Sequence, residues 1–328
     1  MKSLEVHKNR LIKGLVLLFL IVMMLLPSAA LEGASSGLLL WFHNVLPNLL
    51  PFIIISNLMV RLNITKQISR VIYPFLGRLF HVSRDGCYPI AIGFLSGLPM
   101  GAKSTADLVI EHKIHTKEGQ FLLGMCNNAS PMFIIGYIAI TQLKLPHIKY
   151  ALFVIIYGSA ILSALLFQYF YNQLTKRDCV PKKVVTASLN MQNKSSSLRF
   201  SFDLLDSSIM NGFEIVTKIG GYIILFSIFS QIIKEIGPNI GFFKPFVMGV
   251  FEITTGINQI CNTELDINTK IVLVAVLTSF GGFSGIAQTK SVLGDSRLSI
   301  KSYIIVKLMS AIISLLLALL YVTMFRSQ

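Results

Sequence analysis

Four polar or glycine-rich breaks interrupt apolar stretches of this sequence, and their residue types could do chemistry. The first break reads Ser96-Gly97-Leu98-Pro99-Met100-Gly101-Ala102-Lys103. Proline and the flanking glycines stop a helix and leave backbone N–H and C=O groups free. Inside a bilayer such groups must face a ligand, water or protein, so a kink satisfied by neighbouring helices is the alternative to binding. We predict a substrate-binding tip that uses Ser96, Gly97, Gly101 and Lys103.

The second break contains two adjacent asparagines, in the stretch Gly124-Met125-Cys126-Asn127-Asn128-Ala129-Ser130-Pro131. Each amide offers donors and acceptors that are costly in a membrane unless they are hydrogen-bonded. Pro131 also frees a carbonyl one turn earlier. Asn127, Asn128 and Ser130 are therefore predicted either to contact a ligand or to join neighbouring helices by hydrogen bonds.

The third break, Phe251-Glu252-Ile253-Thr254-Thr255-Gly256, places one carboxylate beside two hydroxyls in an apolar stretch. An acid inside a membrane segment indicates a proton carrier or a cation ligand. A static ion pair with Lys103 is the alternative for Glu252, and the two roles are compatible because a pair that opens can exchange a proton. Thr254 is predicted to bind substrate.

The fourth break runs Ser279-Phe280-Gly281-Gly282-Phe283-Ser284-Gly285-Ile286-Ala287-Gln288. Gly281 and Gly285 are four residues apart, which is typical of close helix packing through small residues. Ser284 and Gln288 share one helical face and are the predicted ligand contacts of this segment.

No catalytic motif accompanies these breaks, so the chain is not expected to be an enzyme or to carry a cofactor. His112 and His115 have the spacing of a metal pair, but no carboxylate or thiolate motif joins them, and no metal site is predicted. The four cysteines are widely scattered, which excludes a disulfide framework.

The elements that must position the breaks are membrane helices. The chain is 53% hydrophobic and 13% charged, against roughly 25% charged in soluble domains, which excludes a soluble globular protein. We predict an all-α polytopic membrane protein with about seven crossings, at 14–31, 37–60, 118–143, 150–171, 209–235, 270–292 and 302–324. The stretches 86–112 and 240–262 hold pieces too short to cross and are predicted to be re-entrant helical hairpins.

Basic residues set the predicted orientation. The net charge of +14 is concentrated in short stretches between apolar runs, so it indicates topology and not nucleic-acid binding. The stretches 61–84 and 172–208 are rich in lysine and arginine and are assigned to the cytoplasm. This places the N-terminus in the cytoplasm and the C-terminus outside. The first segment also resembles a signal peptide, although we favour a retained helix.

The order of elements repeats on either side of a polar linker. Gly101 and Gly256 are 155 residues apart, while Ser130 and Ser284 are 154 apart. We divide the chain into an N-terminal membrane helix (1–36), a first repeat (37–171), a cytoplasmic basic linker (172–208) and a second repeat (209–328). Because the repeats begin on opposite sides, the pattern predicts the inverted topology of many secondary transporters.

The four motifs, Gly93 to Lys103, Cys126 to Gly136, Gly249 to Ile257 and Ser279 to Gln288, together resemble the nucleoside-recognition (Gate) domain family. Within it, they are most similar to a group of sporulation integral membrane proteins. The resemblance implies a transporter in the outer forespore membrane that moves dipicolinic acid into the forespore by alternating access. It also implies that the hairpin tips and interrupted helices enclose the substrate.

The expected partners are a small organic anion, membrane lipid, and a coupling proton or sodium ion; nucleic acid is not expected, and a homo-oligomer is left open. A planar dicarboxylate needs cationic or N–H donors, which Lys103, the helix N-termini and the asparagine amides could supply. Glu252 would repel it, which favours the proton or ion-pair role. A nucleoside or nucleobase symporter and a non-transporting membrane scaffold for spore maturation are the alternatives.

Overall fold

The chain is helical in the computed structural model, which describes residues 2–62, 64–175, 201–237 and 241–324. Those residues contain no strand, as expected where apolar segments must satisfy their own backbone hydrogen bonds. The α-helices are α1 (Lys2–Leu25), α2 (Pro27–Leu40), α3 (Leu46–Arg61), α4 (Thr65–Ile72), α5 (Arg78–Phe80), α6 (Cys87–Ser96), α7 (Met100–Ile110), α8 (Thr116–Cys126), α9 (Lys149–Thr175), α10 (Phe202–Ile236), α11 (Phe243–Phe251), α12 (Ile253–Cys261), α13 (Ile267–Phe280), α14 (Gly282–Val292) and α15 (Ile300–Met324).

Four helical segments are long and apolar enough to cross a membrane: 146–170, 202–236, 267–292 and 300–324. They coincide with four predicted crossings. The predicted crossing at 118–143 is split into α8 and a π-helix, Phe133–Gln142, on either side of the asparagine pair. The fold is therefore that of a polytopic helical membrane protein. Its apolar segments are interrupted at positions that contain proline or glycine.

The N-terminal third differs from the prediction. We expected a turn at 32–36, but helical residues continue from Pro27 to Arg61 through one π-helical stretch, Trp41–Val45, and the chain bends by 104° just before Pro27. Pro27 starts α2 because it has no N–H to give to α1 and its ring suits the first helical position. The boundary drawn between residues 36 and 37 falls inside this helix, and the division of the chain into repeats stays a prediction.

Glycines 33 and 37 explain why 32–36 has the composition of a turn. A Cβ on Gly33 would overlap the backbone of Ile228, and one on Gly37 would overlap Ile224 and Ser227 of α10. The two glycines therefore allow close packing of α2 on α10, a helix of the second repeat. Small residues that suggested a loop instead form a helix interface between the two halves of the chain.

The linker prediction falls mostly outside the described residues. Helix α9 extends to Thr175 and α10 starts at Phe202, where the Ser201 hydroxyl accepts a hydrogen bond from Leu204 N at 3.2 Å. The predicted linker ends at 172 and 208 are thus helical. The inverted orientation of the two repeats stays a prediction.

Both predicted hairpins consist of two short helices that pack together, α6 with α7 and α11 with α12. The turn of the first contains Gly97, Leu98 and Pro99; the second turns at Glu252, which has extended backbone (φ −141°, ψ 114°). A Cβ on Gly256 of α12 would overlap Gly249 of α11, so these helices touch backbone to backbone. Their re-entrant position in the bilayer stays a prediction.

Replacing Gly256 with alanine is expected to destabilise the second hairpin. The new Cβ would collide with the Gly249 backbone, which cannot move aside as a flexible side chain could, and such overpacking costs roughly 1–3 kcal/mol. Gly158→Ala in α9 is the matched control, because nothing lies within 4 Å of its added Cβ. Thermal unfolding in detergent should show a lowered midpoint for Gly256→Ala and an unchanged or raised one for Gly158→Ala. Equal midpoints would contradict the close contact.

Candidate functional site

The two hairpin turns and the two interrupted helices meet at one cleft. The volume enclosed by the cleft is about 90 Å³. Six of the predicted site residues line it: Ser96, Ser130, Glu252, Thr254, Ser284 and Gln288. They come from both predicted repeats, so residues far apart in the sequence form a single candidate site.

Glu252 lies in this cleft between α11 and α12, with only 2% of its surface exposed. Its carboxylate caps α12 by accepting hydrogen bonds from Thr255 N at 2.7 Å and from the Thr254 hydroxyl at 3.2 Å. No described lysine, arginine or histidine forms a salt bridge with it. The helix terminus and the hydroxyl therefore hold a buried carboxylate, an arrangement suited to binding and releasing a proton or a cation.

Ser284 and Gln288 occupy one face of α14, as their spacing predicts. The Gln288 amide donates to the Ser284 hydroxyl at 3.0 Å, and both side chains line the cleft. Helix α14 begins beside Gly281 (φ +85°), a conformation that glycine adopts without steric cost, and no side chain caps its N-terminus. Its first backbone N–H groups therefore have no side-chain cap at the wall of the cleft.

From the first hairpin and the break after α8, Ser96, Leu98 and Ser130 line the cleft, whereas the predicted site residues Gly97 and Gly101 do not. A Cβ on Gly97 would overlap the backbone of Ser130, and one on Gly101 would overlap the carbonyl of Cys126. The predicted ligand contacts of Gly97 and Gly101 are therefore replaced by packing contacts. These glycines let the first hairpin approach the break after α8, which brings Ser96 beside Ser130.

The asparagine pair lies behind the cleft in a hydrogen-bonded network. The Asn127 amide donates to Thr289 Oγ1 at 2.7 Å and to the Tyr303 hydroxyl at 3.0 Å, while its oxygen accepts from Ala102 N at 3.3 Å. Asn127 and Asn128 are at most 2% exposed and do not line the cleft. Of the two predicted roles, the structure shows the hydrogen bonds between helices, and ligand contact stays a prediction.

Asn128 also holds the first hairpin turn. Its backbone oxygen accepts from Leu98 N at 2.7 Å, and its amide donates to Met125 O at 2.7 Å. Because Leu98 lines the cleft and contacts the region of Gly281 and Gly285, this bond fixes the tip against the interrupted helix of the second repeat. The pair thus positions the site.

Lys103 does not pair with Glu252, contrary to the prediction. Its ammonium lies 2.8 Å from Asp107, one turn along α7, and its side chain lines two other cavities. The i, i+4 spacing places Asp107 on the same helix face, whereas Glu252 belongs to a different hairpin. The structure therefore does not contain the ion pair that was one of the two alternatives for Glu252, and Lys103 does not line the cleft.

Lys307, in the middle of α15, was missed by the sequence reasoning. It is 1% exposed, its ammonium donates to Asn128 Oδ1 at 2.7 Å, and it lies 5.6 Å from the centre of the Tyr303 ring. No carboxylate among the described residues forms a salt bridge with it. The available signal was a lysine placed two turns inside an apolar 25-residue helix, since intramembrane charges are rare and functional.

The remaining walls are mostly apolar and were not predicted. They come from the helical stretch before α4 (Val45, Leu49), from α10 (Ile219, Ile223) and from Phe133, with Asn44 adding a polar group. A mostly apolar cleft with several polar side chains suits a small, partly apolar ligand. Apolar residues in a membrane helix carry no signal that separates a cleft wall from a packed or lipid-facing position.

Comparison with known proteins adds one relative. The chain is 26% identical over 309 residues, covering 87% of this chain and 76% of the relative, to the sporulation integral membrane protein YlbJ of Bacillus subtilis (strain 168). No protein-family model matches the chain, so the assignment to the Gate family stays a prediction. No solved structure matches it either.

Proposed function

We propose, from the premise that this chain belongs with the YlbJ-type sporulation integral membrane proteins, that it transports a small organic anion during sporulation, foremost dipicolinic acid. The substrate would move from the mother cell toward the forespore across the outer forespore membrane, by alternating access and without enzymatic chemistry. Support comes from a cleft at the meeting point of two helical hairpins and two interrupted helices, an arrangement typical of secondary transporters.

The single observation that carries the anion proposal is the start of α14. This N-terminus opens on the cleft without a side-chain cap, whereas the Glu252 carboxylate caps the neighbouring N-terminus of α12. Free N–H groups and the positive end of the helix dipole favour a carboxylate. A substrate carboxylate at α14 would take the role that Glu252 takes at α12, with Ser284 and Gln288 as further donors.

Glu252 bears on coupling in this proposal. A second negative charge close to the substrate would oppose binding of an anion, so we expect Glu252 to carry a proton when the substrate is bound. Transport would then be coupled to protons. Lys307, behind the cleft, adds a buried basic group that bonds Asn128 on the side of the first hairpin.

A nucleoside or nucleobase symporter is the second candidate, and one observation favours it. None of the residues that line the cleft is a lysine or arginine, whereas hydroxyl, amide and carboxyl groups are present. Such groups suit a neutral polar ligand. Uptake of dipicolinate and of uridine therefore distinguishes the two candidates.

Purified protein in proteoliposomes should take up labelled dipicolinate, with faster uptake under an inward proton gradient. Uridine uptake without dipicolinate uptake would favour the second candidate. In cells, deletion of the gene should lower spore dipicolinate, and added dipicolinate should restore it. Normal spore dipicolinate after deletion would exclude the proposed substrate, and defective spore maturation without uptake of either compound would favour the scaffold.

Replacing Gln288 with alanine should weaken substrate binding. Loss of one hydrogen bond to the ligand costs about 1–1.5 kcal/mol, equivalent to roughly a five- to twelvefold rise in the KM of uptake. Gln142→Ala is the matched control, since Gln142 is a half-buried glutamine that bonds Asn258 and does not line the cleft. An unchanged KM in Gln288→Ala, or an equal rise in both variants, would remove Gln288 from the site.

A further inference from the structure

A second polar cavity lies next to the cleft and shares two of its helices. It is lined by Lys103 from α7, by α10 and by α14, and its unfilled space, including the open mouth, is about 600 Å³. On α10 its wall ends at Lys218, and the wall of the cleft begins at Ile219. On α14 the second cavity is lined by Ser291, which lies one turn beyond Gln288 of the cleft. The two volumes therefore follow one another along the same pair of helices.

A thin apolar layer separates the two volumes. Ile215 lines the outer cavity and Ile219 lines the cleft, and they are one turn apart on α10, 8% and 2% exposed. Val292 adds an apolar side chain from α14, which packs against both α10 and α7. A separation of about one helical turn is roughly 5.4 Å, short enough to be opened by small movements of helix α14 or of the hairpin arm α7.

The outer cavity has lysines in its wall, whereas the described residues that line the cleft include none. Lys103 and Lys218 supply two ammonium groups against one carboxylate of Glu214, which pairs with Lys218 at 2.6 Å. Lys103 pairs with Asp107, which is not part of this wall. The four charges therefore sum to zero, but both pairs are at least partly exposed, and pairs of this kind are weak enough for an entering carboxylate to replace Asp107 or Glu214 as the partner of a lysine.

From this geometry we infer that the outer cavity is the access vestibule through which the organic anion reaches the cleft. Lys103 and Lys218 attract the anion, and Ile215, Ile219 and Val292 form the gate that closes the cleft. This inference rests on the proposed function for the identity of the ligand, but not for the path. Lys103 does not line the cleft and so is not a binding residue there, but in this inference it helps the anion to enter.

The side of access follows from the helix order. The cavity is lined by the first half of α10, the helix that follows the basic linker, and the basic residues of that linker predict a cytoplasmic position. The vestibule should therefore open to the cytoplasm, which is the mother-cell side for the proposed transport.

Cysteine labelling tests the path without requiring transport. The background replaces Cys179 and Cys261 with serine and retains Cys87 and Cys126, which are fully buried. Asn211→Cys and Ser291→Cys probe the vestibule, Ile219→Cys probes the gate on its cleft side, and Leu225→Cys, an exposed apolar position on α10, is the lipid-facing control.

With a membrane-impermeant charged thiol reagent in inside-out vesicles, the vestibule cysteines should react at least about tenfold faster than Leu225→Cys, because the reactive thiolate forms in water. Ile219→Cys should react more slowly than both vestibule positions. Vestibule positions no faster than Leu225→Cys, or reactive only from the opposite side, would overturn the path.

A kinetic arm tests the attraction of anions. Lys103→Gln and Lys218→Gln should each raise the KM for dipicolinate about two- to fivefold at low salt, with an unchanged maximal rate and a smaller effect at high salt. An unchanged KM in both variants would overturn the role of the lysines. Absence of dipicolinate uptake by the unmodified protein would instead contradict the proposed function, and the labelling would still decide whether the vestibule exists.

Discussion

Lys307→Met is expected to reduce dipicolinate uptake by at least about tenfold without lowering the unfolding temperature. The ammonium of Lys307 is buried behind the cleft and bonds Asn128 Oδ1 at 2.7 Å, while Asn128 O holds Leu98 N of the hairpin turn. Methionine fills similar space but removes the positive charge and releases the Asn128 side chain. A tenfold loss corresponds to about 1.4 kcal/mol, which is modest for a charge in a low-dielectric interior.

The stability of Lys307→Met is not expected to fall with its uptake. Burying an ammonium without a carboxylate partner costs several kcal/mol, and the substitution removes that cost. It leaves Asn128 Oδ1 without its donor, which costs about 1–3 kcal/mol. The balance predicts an equal or higher unfolding temperature together with lost transport, the trade-off found where a charge is kept for function.

Uptake and thermal unfolding should be measured on the same preparation of Lys307→Met. Lys301→Met is the matched control, because Lys301 is an exposed lysine on the same helix, and it should change uptake by less than about twofold. A lowered unfolding temperature with a proportional loss of uptake would show that Lys307 serves structure. Full uptake would show that its charge is irrelevant to transport.

Glu252→Gln is expected to abolish accumulation driven by a proton gradient while preserving the fold. Glutamine has the same size and keeps an oxygen that can accept from Thr255 N, so the cap of α12 survives. It cannot take up or release a proton. Accumulation of dipicolinate under an inward proton gradient should fall at least about tenfold, whereas exchange of internal for external substrate should persist.

The comparison of Glu252→Gln with Glu252→Ala separates coupling from capping. Alanine also removes the cap, which costs about 0.5–2 kcal/mol, so it should lower the unfolding temperature where glutamine does not. Glu264→Gln changes an exposed glutamate and should leave accumulation unchanged. Gradient-driven accumulation at the normal level in Glu252→Gln would exclude Glu252 as the proton carrier.

The sequence predicted features that depend on neighbouring residues. Proline and glycine stop helices through their own geometry, so the turn at Gly97 to Pro99, the break at Asn127 to Pro131 and the break at Gly281 could be located without knowledge of any partner. The charge and hydropathy pattern similarly identified a helical membrane protein. At Pro27 the same rule was available, but the crossing predicted at 14–31 runs through this proline.

The sequence could not identify which polar side chains face the cleft. Asn127 and Asn128 form hydrogen bonds with Thr289, Tyr303 and Lys307, which lie 162 to 179 residues away. Without knowledge of these partners, the two side-chain amides were equally suited to contact a ligand. Lys103 had a partner four residues away, yet the separation of its cavity from Glu252 depends on how α7 lies against the second hairpin.

The sequence by itself determined the class of protein, the position of most helix breaks and six of the residues that line the cleft. Only the tertiary structure decided that these breaks form one cleft, that the asparagines support it from behind and that Lys307 joins them. The physical reason is the distance along the chain over which each kind of interaction acts. Helix formation and interruption depend on backbone geometry within a few residues, whereas hydrogen-bond satisfaction inside a membrane protein depends on the rotation and depth of each packed helix.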